Sequence, residues 1–460
     1  MSEHTTTQCV LFGGIFERPV VVQFDQPESS SDGGAILLKA ADRRLGLTEV
    51  LAACLEDERQ AGKVDHEVDE LLMQRVMALA CGHADANDAA RLASDPVYKL
   101  LVDRDPKQGL DLASQSTISR FENSVDRKEL YRLGEGLAEV VIERHRKRLH
   151  GRAGLITIDL DPTDDPTHGA QQLTFFNGHY DCYCYLPMVG FVSFDQEVEQ
   201  YLVAAVLRPG NAPASLGAVG ILRRLIERLK EAFPQAKIRV RLDGGFAAPE
   251  VLDYLDREPK VEYLVNMAAN AVLKRKVEAD MERVRRASQK SEQTEHIYGE
   301  CQYSTKKTWP WPRRVIYKAE VVWGEGKEPK DNPRFVVTNM KQSPQWIYEE
   351  VYCQRGDLEN RIKELHYGME IGRTSCTSFW ANQFRVLMTA AAYVLMQELR
   401  LGLRGTGSAR AQVSTLRERF LKVGARVISS VRRIVLHLPE SFPYVANFQL
   451  LASRLGAQTA

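Results

Sequence analysis

"LITIDLDPTDDPTHG", residues 155–169, decides how the rest of the chain is read. Its apolar, β-branched start predicts a buried strand. Successive strand side chains alternate between faces, so Asp159 and Asp161 stand on one face of it. A strand made only for a core would exclude charge there, because an unpaired buried carboxylate is costly. The stretch then breaks into Pro, Thr and more Asp, and Asp164 and Asp165 read as turn residues of "PTDDPT". The pattern predicts a strand whose end presents a carboxylate.

Downstream, "YCYLPMVGFVSF" (183–194) and "EQYLVAAVLRPG" (199–210) read as two further strands, antiparallel to the first. "PASLGAVGILRRLIERLKEAFP" (213–234) has helical spacing and ends at Pro234. "AKIRVRLDGGF" (236–246) is a strand running into Asp243 and two glycines, "PEVLDYLDRE" (249–258) a helix with Pro in its first turn, and "VEYLVNMA" (261–268) another strand. The order β-β-β-α-β-α-β predicts a mixed α/β architecture.

Around this block, residues 1–34 read as a strand-rich arm and 35–150 as helices. Within the latter, "GLDLASQSTISRFENSV" (109–125) fits either a DNA-binding helix-turn-helix or a plain capped helix pair. The α/β block, 151–271, is followed by a basic helical run and a β-rich section, 272–345. That section contains "TWPWPRR" (308–314), whose prolines argue against regular helix or central strand. Residues 346–402 turn helical again, and 403–460 read as a linker, a helix, one strand over 425–438 and a short helix.

Composition narrows the class without naming a partner. The chain has 460 residues, 44% hydrophobic and 27% charged, with 61 Lys and Arg against 61 Asp and Glu. A balanced total can hide local charge fields. The eight cysteines form no C-x-x-C pair and read as free buried thiols of a reducing compartment; Cys182 and Cys184 read as alternate positions of one strand. No secretory signal is seen, and the most apolar helix, "FRVLMTAAAYVLMQEL" (384–399), is too short and charged to span a bilayer, so a soluble cytoplasmic protein is expected.

Three carboxylates stand where chemistry would want them: Asp161 at a strand end, Asp243 before a Gly-Gly turn, and Glu359 on a helix. Strand-end carboxylates beside glycine turns suit hard divalent cations, and two of them on adjacent strands need a cation between them. The fitting chemistry is metal-assisted phosphoryl transfer with two ions. Tyr352, Arg355, Glu359, Lys363 and His366 are spaced to share one helical stripe, which is either a site or a solvated face. Glu364 falls on another face. Trp309 and Trp311 with Lys306, Lys307, Arg313 and Arg314 suit base stacking and phosphate contact, or the tryptophans pack the insertion's own core. The basic run 274–290 tracks a DNA backbone or is a solvated face.

With these residues in hand, the chain resembles the DDE transposases of bacterial insertion sequences. The likeness rests on Asp161-Pro162-Thr163, Asp243-Gly244-Gly245-Phe246 and Tyr352-x-x-Arg355-x-x-x-Glu359. It is most similar to insertion-sequence family 1380, within the group carrying a Tyr-Arg-Glu-Lys signature. The resemblance implies an RNase H-like core interrupted by a β-rich insertion, with a helical N-terminal DNA-binding region and a small α+β tail. It implies that Asp161, Asp243 and Glu359 bind two Mg²⁺ ions, with Mn²⁺ able to substitute, and that Tyr352 and Arg355 hold phosphates. Where the signature has Lys this chain has His366, with Lys363 one turn earlier, so either residue is a candidate phosphate contact. Asp159 is second in line, as support or as the alternative first carboxylate. The implied activity is cleavage and strand transfer of double-stranded DNA at terminal inverted repeats, by a homodimer on paired ends, in the bacterial cytoplasm at the nucleoid and away from membranes. A hairpin intermediate with Trp309 or Trp311 receiving a flipped base fits the same resemblance. The rivals are an RNase H-like nuclease or resolvase without strand transfer, and a DNA-binding relative with a decayed catalytic core.

Overall fold

The strand that starts at Leu155 lies inside the main sheet. A computed structural model describes residues 10–12, 17–305, 308–324 and 327–458. Lys306, Lys307 and Cys9 lie outside the described residues.

The N-terminal part holds strands β1 (Val10–Phe12) and β2 (Val20–Val22), paired antiparallel, and the short β3 (Ser29–Ser30). Helices follow: α1 (Ile36–Leu45), α2 (Leu47–Ala52), α3 (Val68–Ala80), α4 (Asp88–Leu92), α5 (Pro96–Leu101), α6 (Gln115–Glu122) and α7 (Arg127–Arg148). The helix-turn-helix alternative for 109–125 does not form. Only α6 is helical there, because the preceding backbone is held elsewhere: Leu112 N–H donates to the Ala93 carbonyl, Ala113 exchanges two hydrogen bonds with the Gln74 amide, and Arg104 holds the Leu110 and Asp111 carbonyls. A capped pair within that stretch does not form either, and the next helix, α7, is opened by a reciprocal box between Asp126 and Glu129.

The main strands are β4 (Leu155–Pro162), then, after three short strands β5 (Asp165–Pro166), β6 (Phe175–Asn177) and β7 (Cys182–Tyr185), β8 (Met188–Phe194) and β9 (Tyr201–Val206). Helix α8 (Ala218–Ala232), β10 (Lys237–Leu242), α9 (Pro249–Arg257), β11 (Val261–Met267) and α10 (Ala271–Ser291) complete the block. The β-rich section adds β12 (Glu295–Thr305), β13 (Trp309–Gly324), β14 (Lys327–Asp331) and β15 (Arg334–Thr338). One sheet runs β12-β13-β15-β11-β10-β4-β8-β9, with β14 on β13. β10 is parallel to both β4 and β11, whereas β8 and β9 run antiparallel, as the sequence predicts. The fold is therefore mixed α/β.

Two strand expectations need correction. The run 183–194 is two strands, broken at Pro187, which has no N–H for a ladder. β7 joins β5 and β6 in a separate small sheet, and β8 joins the main one. The "TWPWPRR" run is strand after all, and β13 lies between β12 and β15. Its prolines are tolerated because pairing with β15 starts only at Arg314, and the β12 ladder shifts register between Tyr303 and Thr305. Both therefore sit at a bulged end with no partner on the β15 side.

The last part holds α11 (Pro344–Trp346), α12 (Gly356–Lys363), α13 (Phe379–Gly402), α14 (Val413–Leu416), a hairpin of β16 (Ala425–Ser429) and β17 (Ile434–His437), and α15 (Val445–Arg454). Three further corrections fall here. The helix expected after 345 is not regular: π-helical segments at Ile347–Tyr352 and Glu364–Gly368 flank a 3₁₀ turn and α12. The single strand over 425–438 is a hairpin, and β16 pairs with β3 of the N-terminal arm. Cysteines 81 and 184 are buried free thiols as expected, but Cys353 is exposed. Helix α13 is buried along most of its length and packs on α3, α7, α1 and β9. Among the described residues no helix is long and apolar enough to cross a membrane.

Candidate active site

The parallel register of β4 and β10 pairs Arg241 with Asp159. Two residues further along, the same register sets Asp243 level with Asp161, on strands about 4.8 Å apart. Both stand at the C-terminal ends of their strands. Asp243 ends β10 and turns the chain, its Oδ1 accepting the Gly245 N–H at 3.0 Å. Gly245 is required there, because a Cβ would lie 2.6 Å from the Ala214 Cβ.

Asp161 is mostly buried and its Oδ1 accepts from Arg355 Nη2 at 2.7 Å. Burial pushes its carboxyl up to about 6; Arg355 opposes the rise, and the neighbouring Asp243 and Asp159 charges add to it. Burial works against the Arg355 cation, but Asp161, Asp243 and Asp159 together hold it charged. Arg355 Nε is buried and has no acceptor. It is an N–H donor beside two carboxylates, free for an oxygen of a bound group. Tyr352 is half-buried and feels both Arg355 and Asp243; burial raises its hydroxyl.

Asp159 answers the question set by its strand. It is 1% exposed, and both its oxygens are used: Arg241 Nε and Nη2 donate at 2.8 and 2.7 Å, and the Gln200 amide at 3.0 Å. Arg241 Nη1 also donates to the Val351 carbonyl at 3.1 Å. The pair thus ties β4 and β10 to the π-helical segment just before Arg355. On this face of β4 both Asp159 oxygens are taken, whereas Arg355 takes Oδ1 of Asp161.

Only part of the spaced stripe converges on that point: Tyr352 and Arg355 reach it, and Glu359 is not gathered with the two aspartates. π and 3₁₀ turns on either side of α12 alter the helical period. Glu359 and Lys363 are exposed on α12. Among the described residues no group of three His, Cys, Asp or Glu side chains is arranged to hold a metal ion. His366 turns inward, its Nε2 2.6 Å from the Thr163 hydroxyl, and burial lowers its pKa. Glu364 is buried among Arg400, Arg361, the Tyr393 hydroxyl and the Val413 N–H. It is a structural anchor on another face, as its offset predicts. Asp161 and Asp243 fit a divalent cation as oxygen donors whose repulsion it would relieve; the third donor is not in place beside them.

Sequence reasoning missed three groups near this point. Tyr180, in the β6–β7 turn, lies in the field of Asp164, Asp161 and Asp243, and its hydroxyl is pushed up to about 12, chiefly by burial. Arg208 is buried without a carboxylate partner. It donates to the carbonyls of Leu186, Pro213, Ala214 and Leu216 at 2.9–3.1 Å, and its Nη2 has no acceptor. Asp165 corrects its assignment as a turn residue: it is 0% exposed on β5. One of its oxygens accepts from the Thr374 hydroxyl at 2.7 Å and the other has no partner. Burial pushes its carboxyl up to about 8. No local signal marks it, because Thr374 is 209 residues away.

In the β-rich section, Trp309 is buried and edge-on to Tyr303, and Arg313 is buried between Asp253 and Asp256. The Arg313 guanidinium lies 5.0 Å from the Trp309 ring and 5.3 Å from the Trp311 ring. Arg314 is spent on Glu300 and the Met340 and Gln342 carbonyls. Trp309 and Arg313 thus belong to the section's own core, and Trp311 is the exposed aromatic, at 43%. Along α10, Arg283 and Arg285 are ion-paired, while Lys274, Arg275 and Lys276 are exposed.

Residues 12–460 match the family model described as transposase DDE domain group 1, and the chain belongs to that family. No curated protein is similar enough in sequence to match it.

Proposed function

We propose that this family member is the transposase of an insertion sequence of the 1380 type, cutting DNA at terminal inverted repeats and joining the ends to a target. The observation that carries the reading is the level pair of Asp161 and Asp243 at adjacent strand ends, with Arg355 bonded to Asp161 and its Nε unused. The strand order β9-β8-β4-β10-β11 with its two crossover helices supports an RNase H-like core. A divalent ion, Mg²⁺ or Mn²⁺, held by Asp161 and Asp243 would supply Lewis-acid stabilisation of a phosphodiester oxygen, with Glu359 the proposed third ligand. Arg355 Nε–H is positioned to hold a phosphate oxygen, and Asp161 keeps the guanidinium aimed. Tyr352 adds a hydroxyl on the same side. Thr163 fixes His366, leaving exposed Lys363 as the longer-range phosphate contact. Trp311 is the residue we assign to an unstacked base. Pairing two ends would take a homodimer, and the substrate places the protein at the nucleoid.

One observation favours a second reading, a DNA-binding relative with an incomplete catalytic centre: Glu359 stands apart from the two aspartates. Mg²⁺-dependent cleavage and strand transfer on DNA carrying the element's ends separates the two. The transposase reading expects cleavage lost in Asp161→Ala, Asp243→Ala and Glu359→Ala with DNA binding retained. Wild-type protein that binds the ends and never cuts them sinks it, and cleavage surviving Glu359→Ala alone removes that residue from the site.

A further inference from the structure

The balanced total charge conceals a strong local excess. Residues 35–150, where sequence places DNA binding, hold 18 Lys and Arg against 21 Asp and Glu, whereas residues 403–460 hold nine against two. Part of that excess is used inside the fold: Arg404 pairs with Glu197, Lys422 with Asp32, and Arg417 holds the Ala80 and Gly368 carbonyls. Two of the remaining cations gather at the turn between β16 and β17.

Ser429 pairs with Ile434, leaving a turn of residues 430–433. The Ser430 N–H and hydroxyl both donate to the Arg433 carbonyl, at 3.0 and 2.8 Å, and fix its shape. Its base is anchored: β16 pairs with β3, and Ala425 and Val427 are buried. Its tip is bare. Val431 is fully exposed at 107%, with Ile428 and Ile434 also exposed below it. The side chains of Arg432 and Arg433 are exposed, and among the described residues neither has a hydrogen-bond or ion-pair partner. Two acidic residues lie at the hairpin base: Asp105, which is bonded to the Ser429 hydroxyl, and Glu28, which faces Arg426 at 3.6 Å and Lys107 at 3.4 Å. A solvated turn favours Gly, Asn or Asp, not a β-branched apolar residue beside two free cations.

We propose that the β16–β17 hairpin is a DNA-docking element: Arg432 and Arg433 contact the backbone of duplex DNA, and the Val431 tip enters the minor groove. A groove about 6 Å wide admits the single Val431 side chain at the tip, and cations flanking an apolar wedge are the combination that works there. A second copy of the chain is the weaker occupant. The tip offers far less than the roughly 1,000 Å² a stable protein interface needs, and interface centres are depleted of charge. The proposal rests on the same partner class as the proposed function but on residues remote in sequence from Asp161 and Asp243.

The test is anisotropy of the full chain on a labelled mixed-sequence duplex across a salt series, with Arg432→Ala/Arg433→Ala, Val431→Ser and a control, Arg228→Ala/Lys237→Ala, whose exposed cations lie on α8 and at the start of β10. Each phosphate contact contributes about 0.9 to the slope of log affinity against log salt. The double hairpin variant is expected to bind more weakly, with a slope shallower by about 1.8. Val431→Ser should weaken binding at unchanged slope, and the control should match wild type. An unchanged slope in the double variant overturns the proposal, as does a lost self-association in sedimentation with DNA binding intact. Wild type that binds no duplex overturns it together with the transposase reading. Wild type that shows the predicted slopes but never cuts element ends sinks the transposase reading alone.

Discussion

Removing the Asp159 carboxylate tests whether that residue holds the site up or takes part in it. In Asp159→Ala the Arg241 guanidinium, itself only 5% exposed, loses its sole carboxylate and keeps the Val351 carbonyl. Breaking a buried ion pair from one side costs about 3–5 kcal/mol, because the remaining charge stays buried. Unfolding entropy of about 2.1 cal/mol/K per residue gives roughly 1 kcal/mol/K for a chain of this length, so the melting temperature should fall by about 3–5 °C. Asp159→Asn should fall nearly as far, since the amide cannot neutralise the cation. Asp159→Leu combined with Arg241→Met removes both charges and should recover most of the loss, giving a coupling of at least about 2 kcal/mol in a double-mutant cycle. Calorimetry or thermal circular dichroism reads these shifts, and DNA cleavage is assayed below every melting point. If Asp159→Asn melts within about 0.5 °C of wild type yet cuts no DNA, Asp159 is a reacting carboxylate and the structural assignment is wrong.

Other perturbations separate scaffold from surface. Asp165 is raised to about 8 in the fold from 3.8, so between those values the native chain keeps a proton that the unfolded chain releases. Wild type should therefore lose stability as pH rises from about 4 to 8, by up to about 1.4 kcal/mol per pH unit. Asp165→Asn should flatten that slope in denaturant titrations at several pH values, and parallel curves would refute the buried acid. Trp309→Ala should cost about 3–5 kcal/mol as a lost core aromatic, whereas Trp311→Ala should leave melting unchanged; equal losses would return both rings to one core. Thr163→Val removes the hydroxyl that holds His366 and should cost about 1 kcal/mol, with the His366 ring signal in NMR moving toward that of a free imidazole; an unmoved signal would show that the contact does not orient the ring.

What the sequence could reveal was set by how far away each residue's partner lies. The strand ending at Asp161 and the strand ending at Asp243 announce themselves, because period-two alternation and a Gly-Gly turn are local signals, whereas their parallel pairing is seen only in the fold. Charges buried by distant partners carry no such mark. Arg241 lies 82 residues from Asp159 and Thr374 lies 209 from Asp165, so the sequence leaves one aspartate open between support and ligand and makes the other a turn residue. The helical stripe from Tyr352 to His366 holds only in part, for a different reason: equal spacing places residues on one face only while the period holds, and two π-helical segments break it. The prolines of "TWPWPRR" mislead because a proline forbids a ladder hydrogen bond, not a strand, and here the ladder on one side has already ended. The charge excess of the last 58 residues is the opposite case, fully legible as a count yet without meaning until the fold shows which arginines are spent and which are left at the turn of a hairpin. Composition can state that a surface is cationic somewhere. The fold shows which of the cations are spent in ion pairs and sets Arg432 and Arg433, without such partners among the described residues, side by side at a hairpin turn.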